Sequence, residues 1–319
     1  MWKRLIASVF VISLWGPVTA ARADEAVTLR LKWFNQAQFA GFYVAKTKGY
    51  YKSAGIDLDI QPGGPDFPAI QMVAGGNEQF GVTGADQILI ARGKGVPVVA
   101  VAVIYKRTPF VLFSLAKSGI KSPADYVGRN VGVKLGGNEE LMYRAMMAKA
   151  GVDTAKVKEV PVKFDIAPLL NGTVDVWPGY EINEVLAARE KGFEVNVVSP
   201  SSYGIDLYAD TLFTTEKMLR EKPDTVRKFV AATLKGWNDA IAHPDEAAKI
   251  TVDVGGSKLT YEHELAMMKA SQPLLTGEGE ALGAMDEAHW RSMQTLLVEG
   301  KFLKAPVDVT QAFTVNYLK

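Results

Sequence analysis

The chain has 319 residues, with 36 basic and 35 acidic side chains, three histidines and no cysteine. Removing a leader that carries Lys3, Arg4 and Arg22 leaves 33 basic against 35 acidic residues, and scattered charge of that balance excludes an electrostatic footprint for nucleic acid or anionic lipid. The absence of cysteine excludes disulfide staples, thiolate catalysis and a lipidated N-terminal cysteine.

Lys3 and Arg4 precede a short apolar run from Leu5 to Leu14, and Ala21-Arg22-Ala23 offers a small-residue cleavage site. Residues 1–23 therefore read as a secretory signal peptide, with the mature chain expected to start near Asp24. The apolar run is too short for a permanent membrane anchor, and no later segment has an apolar stretch of spanning length, so a soluble mature chain is expected. The remaining ~296 residues suffice for two domains of ordinary size.

Strands are expected at 27–31, 56–60, 79–82 and 96–104, interleaved with helices at 39–48, 68–74 and 86–92. Further strands follow at 111–115, 130–133, 157–162, 174–177 and 194–198, with an amphipathic helix at 139–150. From 215 onward the pattern turns helical, over 223–241, 244–252, 261–272 and 285–299, with Pro223 and Pro244 in first turns. Alternating strands and helices predict an α/β fold with mostly parallel sheets covered on both faces. The chain is expected to cross twice between two lobes, near 105–109 and 200–206. One lobe comprises 24–107 plus 207–319 and the other 108–206; such a pair closes like a jaw on a ligand.

No catalytic motif is present: there is no G-x-S-x-G elbow, no P-loop and no G-x-G-x-x-G after a strand. His243, His263 and His289 all fall in the helical tail without metal-ligand spacing and are expected at the surface or at helix ends. Gly63-Gly64 and Gly136-Gly137 signal turns and nothing more. No metal and no cofactor is expected.

Ligand-binding signals cluster at strand-to-helix turns, the edge where open α/β sheets bind ligands. The first turn holds Trp33, Phe34, Asn35, Gln36 and Gln38, an indole with carboxamides suited to stacking on and reading the edge of a flat heterocycle. Phe34 fits either a ligand wall or a strand-end core position. Asp86 is expected to cap a helix starting at Gln87, with ligand contact in addition. Asn138 is expected as the N-cap of the helix at 139–150, where Glu139 and Glu140 disfavour a phosphorylated ligand. Trp177, Tyr180 and Glu181 follow a strand expected to end at Trp177-Pro178-Gly179, placing the Glu181 carboxylate to accept from an exocyclic amine or ring N–H. Arg107 and Lys134 are the nearest cationic candidates, too few to favour alkanesulfonate or nitrate.

The stretches LKWFNQAQFAGFYVAKTKGYY (31–51), PGGPDFPAIQMVAGGNEQFGVTGADQILIARGKGVPVVAVAVIYKRTP (62–109) and VDVWPGYEINE (174–184) resemble the thiamine-pyrimidine (NMT1/Thi5-like) branch of periplasmic solute-binding proteins, over roughly 27–250. The resemblance implies a type II periplasmic-binding-protein fold, delivery of a heterocycle such as a thiamine-precursor pyrimidine to an ABC permease, and a monomer in the periplasm. It also implies that Trp33, Asn35, Asp86, Tyr105 and Glu181 lie at or near the cleft, with Trp177 and Tyr180 beside them. Related fungal and plant enzymes form the pyrimidine with a cleft histidine and a cysteine-rich motif. This chain has no cysteine and no histidine before His243, which opposes a synthase. The first turn reads Trp-Phe-Asn-Gln-Ala-Gln-Phe and departs from the W-x-P-N-x-x-H-like segment of pyrimidine binders, which leaves riboflavin as the alternative ligand.

Overall fold

The computed structural model describes residues 24–277 and 279–318; the expected signal peptide lies outside them. The strands are β1 (Glu25–Arg30), β2 (Ile56–Gln61), β3 (Phe80–Gly84), β4 (Val98–Val103), β5 (Phe110–Leu115), β6 (Asn130–Val133), β7 (Lys158–Pro161), β8 (Val176–Tyr180), β9 (Val195–Val198) and β10 (Asp210–Thr215). The helices are α1 (Ala40–Thr47), α2 (Tyr50–Ser53), α3 (Ala69–Ala74), α4 (Ala85–Gly93), α5 (Asn138–Lys149), α6 (Ala167–Leu170), α7 (Glu184–Glu190), α8 (Glu216–Glu221), α9 (Pro223–Ala242), α10 (Pro244–Gly255), α11 (Tyr261–Leu275) and α12 (Glu287–Glu299). Among the described residues no helix is long and apolar enough to cross a membrane.

Two five-stranded sheets result, in the orders β2-β1-β3-β10-β4 and β7-β6-β8-β5-β9. The chain passes from the first to the second through 104–109 and returns through 199–209. Both sheets are mixed. β10 runs antiparallel to β3 and β4, and β5 antiparallel to β8 and β9, while the strands joined by helices are parallel. The strands that enter each sheet from a crossover are thus the reversed ones.

Local sequence accounts for most elements. β4, VVAVAV, is buried along its whole length, as an apolar run covered on both faces must be. On α9, Val226, Phe229, Val230, Thr233, Trp237 and Ala240 recur at helical spacing and form its buried stripe. Pro223 and Pro244 open their helices.

The sheets are mixed where mostly parallel ones are expected, because the strand entering each from a crossover runs reversed, and the structure departs from expectation at four further places. A strand, β10, occupies 210–215, where none is expected; it forms by pairing on both sides with β3 and β4, whose residues precede it by far in the chain. β8 continues through Pro178 and Gly179 to Tyr180. Proline is tolerated there because β8 pairs with β6 only at Val176, so no ladder bond is lost on that side, and Gly132 leaves room for the Pro178 ring. Asp86 does not precede its helix: α4 starts at Ala85 behind Gly84. Asn138 is the first residue of α5, with Gly137 before it and no side-chain cap.

The turn after β1 is held in place by α1, and α1 by α9. Gly41 and Gly236 bring these helices together: a Cβ on Gly236 would collide with the Gly41 carbonyl oxygen and the Ala45 side chain, and one on Gly41 with the Trp237 ring. Gly236→Ala is expected to destabilise the fold by about 1–3 kcal/mol, read as a lowered urea midpoint. At the end of α9, Asp239 accepts from Tyr50 Oη (2.6 Å), Lys48 Nζ (3.0 Å) and His243 Nδ1 (2.7 Å). The Tyr50 hydrogen bond, with those from Lys48 and His243, lowers its pKa from 3.8 to about 2. Stability from a lowered carboxylate is present above its unfolded pKa and is lost as pH falls through the folded value. The stability gap between wild type and Asp239→Asn, measured by urea unfolding, is therefore expected to close between about pH 4 and about pH 2.

Candidate functional site

A cavity of about 650 Å³ lies between the two sheets, within the size range of small-molecule sites. Its walls come from segments at the C-terminal ends of parallel strands: 32–38 after β1, 64–68 after β2, 134–139 after β6, 162–164 after β7 and 180–184 after β8. Two parallel-stranded units facing each other at these edges make a cleft whose lining is mostly loop, free of the sheet's own hydrogen bonding.

The β2–α3 loop lies against the β1–α1 turn because two glycines permit it. A Cβ on Gly63 would collide with the Leu31 carbonyl oxygen, and Gly64 (φ 128°) lies under the Phe34 ring. These glycines therefore do more than turn the chain. The buried Arg30 pairs with Glu78 and donates to the Pro62 carbonyl (2.6 Å), pinning the start of the same loop.

One wall is aromatic. Trp33 meets Phe34 edge-on at 5.2 Å and Phe164, from the opposite lobe, at 4.7 Å. Phe34 is 53% and Phe164 42% exposed, although both line the cleft. The inner end is polar and charged. Lys32 Nζ donates to Tyr180 Oη across the cleft (2.8 Å) and to Asp210 Oδ1 (3.4 Å). Gln38 Nε2 donates to Asp210 Oδ2 (2.6 Å), and Gln38 Oε1 accepts from Gln36. On the second lobe Lys134 lies between Glu139 (3.2 Å) and Glu184 (3.3 Å), while Glu184 Oε2 also accepts from the Tyr180 backbone N–H (2.8 Å).

These groups hold one another's charge. Burial disfavours the Lys32 ammonium, yet Tyr180, Asp210 and Asp86 outweigh it and its pKa is raised. Burial pushes Asp210 and Asp86 up, opposed in both by Lys32. Burial also pushes Tyr180 up to about 12, so its hydroxyl keeps its proton at neutral pH. Lys134 is opposed by burial and raised on balance by Glu139 and Glu184.

Beside the cavity a second set of bonds joins the lobes. Asn183 Nδ2 reaches Gln36 Oε1 (3.4 Å), and the His263 ring lies 3.1 Å from Asn183 Oδ1 and 3.0 Å from Glu190.

Of the ten residues singled out in the sequence, Trp33, Phe34, Gln38, Asn138 and Tyr180 line the cleft. The other five do not. Asn35 turns back to accept from Tyr43 Oη (3.0 Å). Asp86 is buried beneath the cavity, bonded by Gln87 Nε2 (2.7 Å). Tyr105 is wholly buried, edge-on to Trp237 and donating to Ser271 Oγ (3.0 Å). Trp177 faces the second lobe's core with Phe113 and Val185, because β8 is still a strand at that point. Glu181 is exposed, and the carboxylate of this segment that lines the cleft is Glu184, three residues later. The extension of β8 shifts every side chain in this segment relative to a turn at Gly179.

Sequence reasoning also missed Lys32 and Phe164 and set Lys134 aside. Lys32 sits directly before Trp33, and a lysine at the C-terminal end of a buried strand was the available signal. Arg107 donates to the Pro273 carbonyl (3.0 Å) and does not line the cavity. His263 and His289 are each the third residue of a helix, as expected, and each has a partner: His263 contacts α7, and His289 stacks on Tyr208 at 4.0 Å.

The model described as NMT1/THI5 like matches residues 36–247. The chain belongs to the NMT1/THI5-like family. It is 30% identical to the riboflavin-binding protein RibY of Chloroflexus aurantiacus, over 94% of this chain and 90% of that one. It is 28% identical to a formylaminopyrimidine-binding protein of Halalkalibacterium halodurans, over 97% of this chain and 96% of that one. In three dimensions it is similar to the periplasmic aliphatic sulphonate binding protein SsuA of Escherichia coli, with a TM-score of 0.73 at 16% identity, over 91% of this chain and 92% of that one. The fold of this family member is therefore that of type II periplasmic binding proteins.

Within this family member the two carboxylates make a direct test of the β8 register. Glu184→Gln is expected to weaken ligand binding in the cleft about tenfold by loosening Lys134 and the Tyr180 backbone, whereas Glu181→Gln leaves it unchanged, both read by calorimetric titration.

Proposed function

We propose that this chain is the substrate-binding component of an ABC importer and that its cargo is an aromatic nitrogen heterocycle. The observation that carries this reading is the composite wall of Trp33, Phe34 and Phe164, supplied by both lobes and facing hydrogen-bonding groups at the inner end. Such a wall stacks on a flat ring and is complete only when the lobes meet, so ligand binding and closure reinforce each other. The permease would recognise the closed form.

The lobes are assigned to 24–107 plus 207–319 and to 108–206, moving about the two crossovers. Residues 1–23 are assigned as the export signal, giving a periplasmic monomer. The cleft is equipped to hold a ligand, and Lys32 and Lys134 are each tied to carboxylates. Inner charges balanced in this way suit an uncharged ligand better than a sulfonate or a phosphate ester.

A thiamine-precursor pyrimidine and riboflavin are both heterocycles of this class. The cavity volume favours the larger, as does the 30% identity to a riboflavin-binding relative across nearly the whole chain. Native mass spectrometry of the protein expressed with its leader is expected to show a retained heterocycle, and a yellow preparation identifies a flavin. Trp33→Ala is expected to weaken binding by about 1–3 kcal/mol without unfolding. Absence of any retained or titratable heterocycle would overturn the assignment.

A further inference from the structure

We infer that the ligand enters with a hydrogen-bond-accepting, oxo-bearing edge against Lys32 and Tyr180 and leaves an apolar end at the cleft mouth between Phe34, Leu135 and Phe164. This rests on the heterocycle reading and narrows it to a substrate class and an orientation.

At Lys32 and Tyr180 the inner end offers donors. Lys32 spends two of its three ammonium protons on Tyr180 and Asp210, and among the described residues no protein acceptor takes the third. The Tyr180 hydroxyl accepts from Lys32, which leaves its own proton free to point into the cavity. The carboxylates nearest Lys32 and Tyr180 are engaged: Asp210 by Lys32 and Gln38, and Glu184 by Lys134 and the Tyr180 N–H, while Glu139 Oε1 accepts from Lys134. Two adjacent donors, one of them cationic, match a ring carbonyl or a ring carbonyl with its neighbouring nitrogen. An amino-substituted edge would bring N–H groups against N–H groups and leave both sides unpaired, which is the costly arrangement in a dry cleft.

The opposite end has the reverse character. Phe34, Leu135 and Phe164 line the cleft and are 53%, 61% and 42% exposed, and they come from both lobes. Large apolar side chains left in water at a cavity rim mark a place where apolar ligand surface is to be covered. A single polar ring seated on Lys32 would leave them bare; a fused ring with an apolar far edge would cover them.

The test uses riboflavin, whose ring system carries carbonyl groups at one end and methyl groups at the other, and 4-amino-2-methylpyrimidine, an aminopyrimidine that presents an amino group and carries no carbonyl. Each is titrated calorimetrically into wild type, Lys32→Met, Tyr180→Phe and Trp33→Ala, with thermal melts to confirm folding. Wild type is expected to bind riboflavin at least about tenfold more tightly than the aminopyrimidine. Tyr180→Phe, which keeps the ring and removes only the O–H, is expected to weaken riboflavin about tenfold, and Lys32→Met by more. If Lys32→Met fails to fold, because Asp210 loses its counter-charge, Tyr180→Phe decides. Riboflavin affinity unchanged in the folded Lys32 and Tyr180 variants but lost in Trp33→Ala overturns the donor-edge orientation and leaves the heterocycle reading standing. So does tighter binding of the aminopyrimidine. Failure of wild type to bind either probe overturns both.

Discussion

The buried carboxylate of Asp210 is the point on which the rest of the site depends. It sits at the first residue of β10, where the chain re-enters the first sheet, and is 1% exposed. Its side chain accepts from Lys32 and Gln38, while its backbone carbonyl accepts from the N–H groups of Ile104 (2.8 Å) and Tyr105 (3.1 Å) on the other crossover. One residue thus ties both crossovers to the inner end of the cleft. Burial there disfavours the Asp210 carboxylate, and the Lys32 ammonium opposes that effect.

From that pair a continuous set of hydrogen bonds runs outward. Asp210 takes Gln38, Gln38 takes Gln36, Gln36 takes Asn183, and Asn183 meets His263, which meets Glu190. On the other side Lys32 passes to Tyr180 of the second lobe. The lobes are therefore joined by directional bonds at the inner end and beside the cavity, and by aromatic contact at its mouth. Directional bonds fix the angle at which the lobes meet, and the aromatic wall supplies area at little cost in side-chain freedom.

The α1–α9 packing and the Gly63–Gly64 approach serve the same end. The β1–α1 turn is held to the β2 side by the Gly63 N–H donating to the Trp33 carbonyl (2.9 Å), and beyond that its position follows from the helix behind it and the loop laid against it. Buried Glu264 adds a further tether by accepting from the Ala37 N–H (2.6 Å).

Local sequence carried the α/β class, the helical tail, the strand-to-helix turns that line the cavity, and the family. These follow from local periodicity, proline placement and contiguous residue strings, which do not need distant partners to be read. Trp33, Phe34, Gln38 and Tyr180 were legible for the same reason, since each sits where a local signal marks a strand's end. Tertiary structure alone decided the strand at 210–215, the extension of β8 through Pro178, and with it the exchange of Glu181 for Glu184. Each of these depends on which strand lies alongside, and strand pairing joins residues far apart in the chain. It also decided that Tyr105 and Trp177 face cores, and that Lys32 is held between a tyrosine 148 residues away and an aspartate 178 residues away, a meeting that no stretch of sequence records.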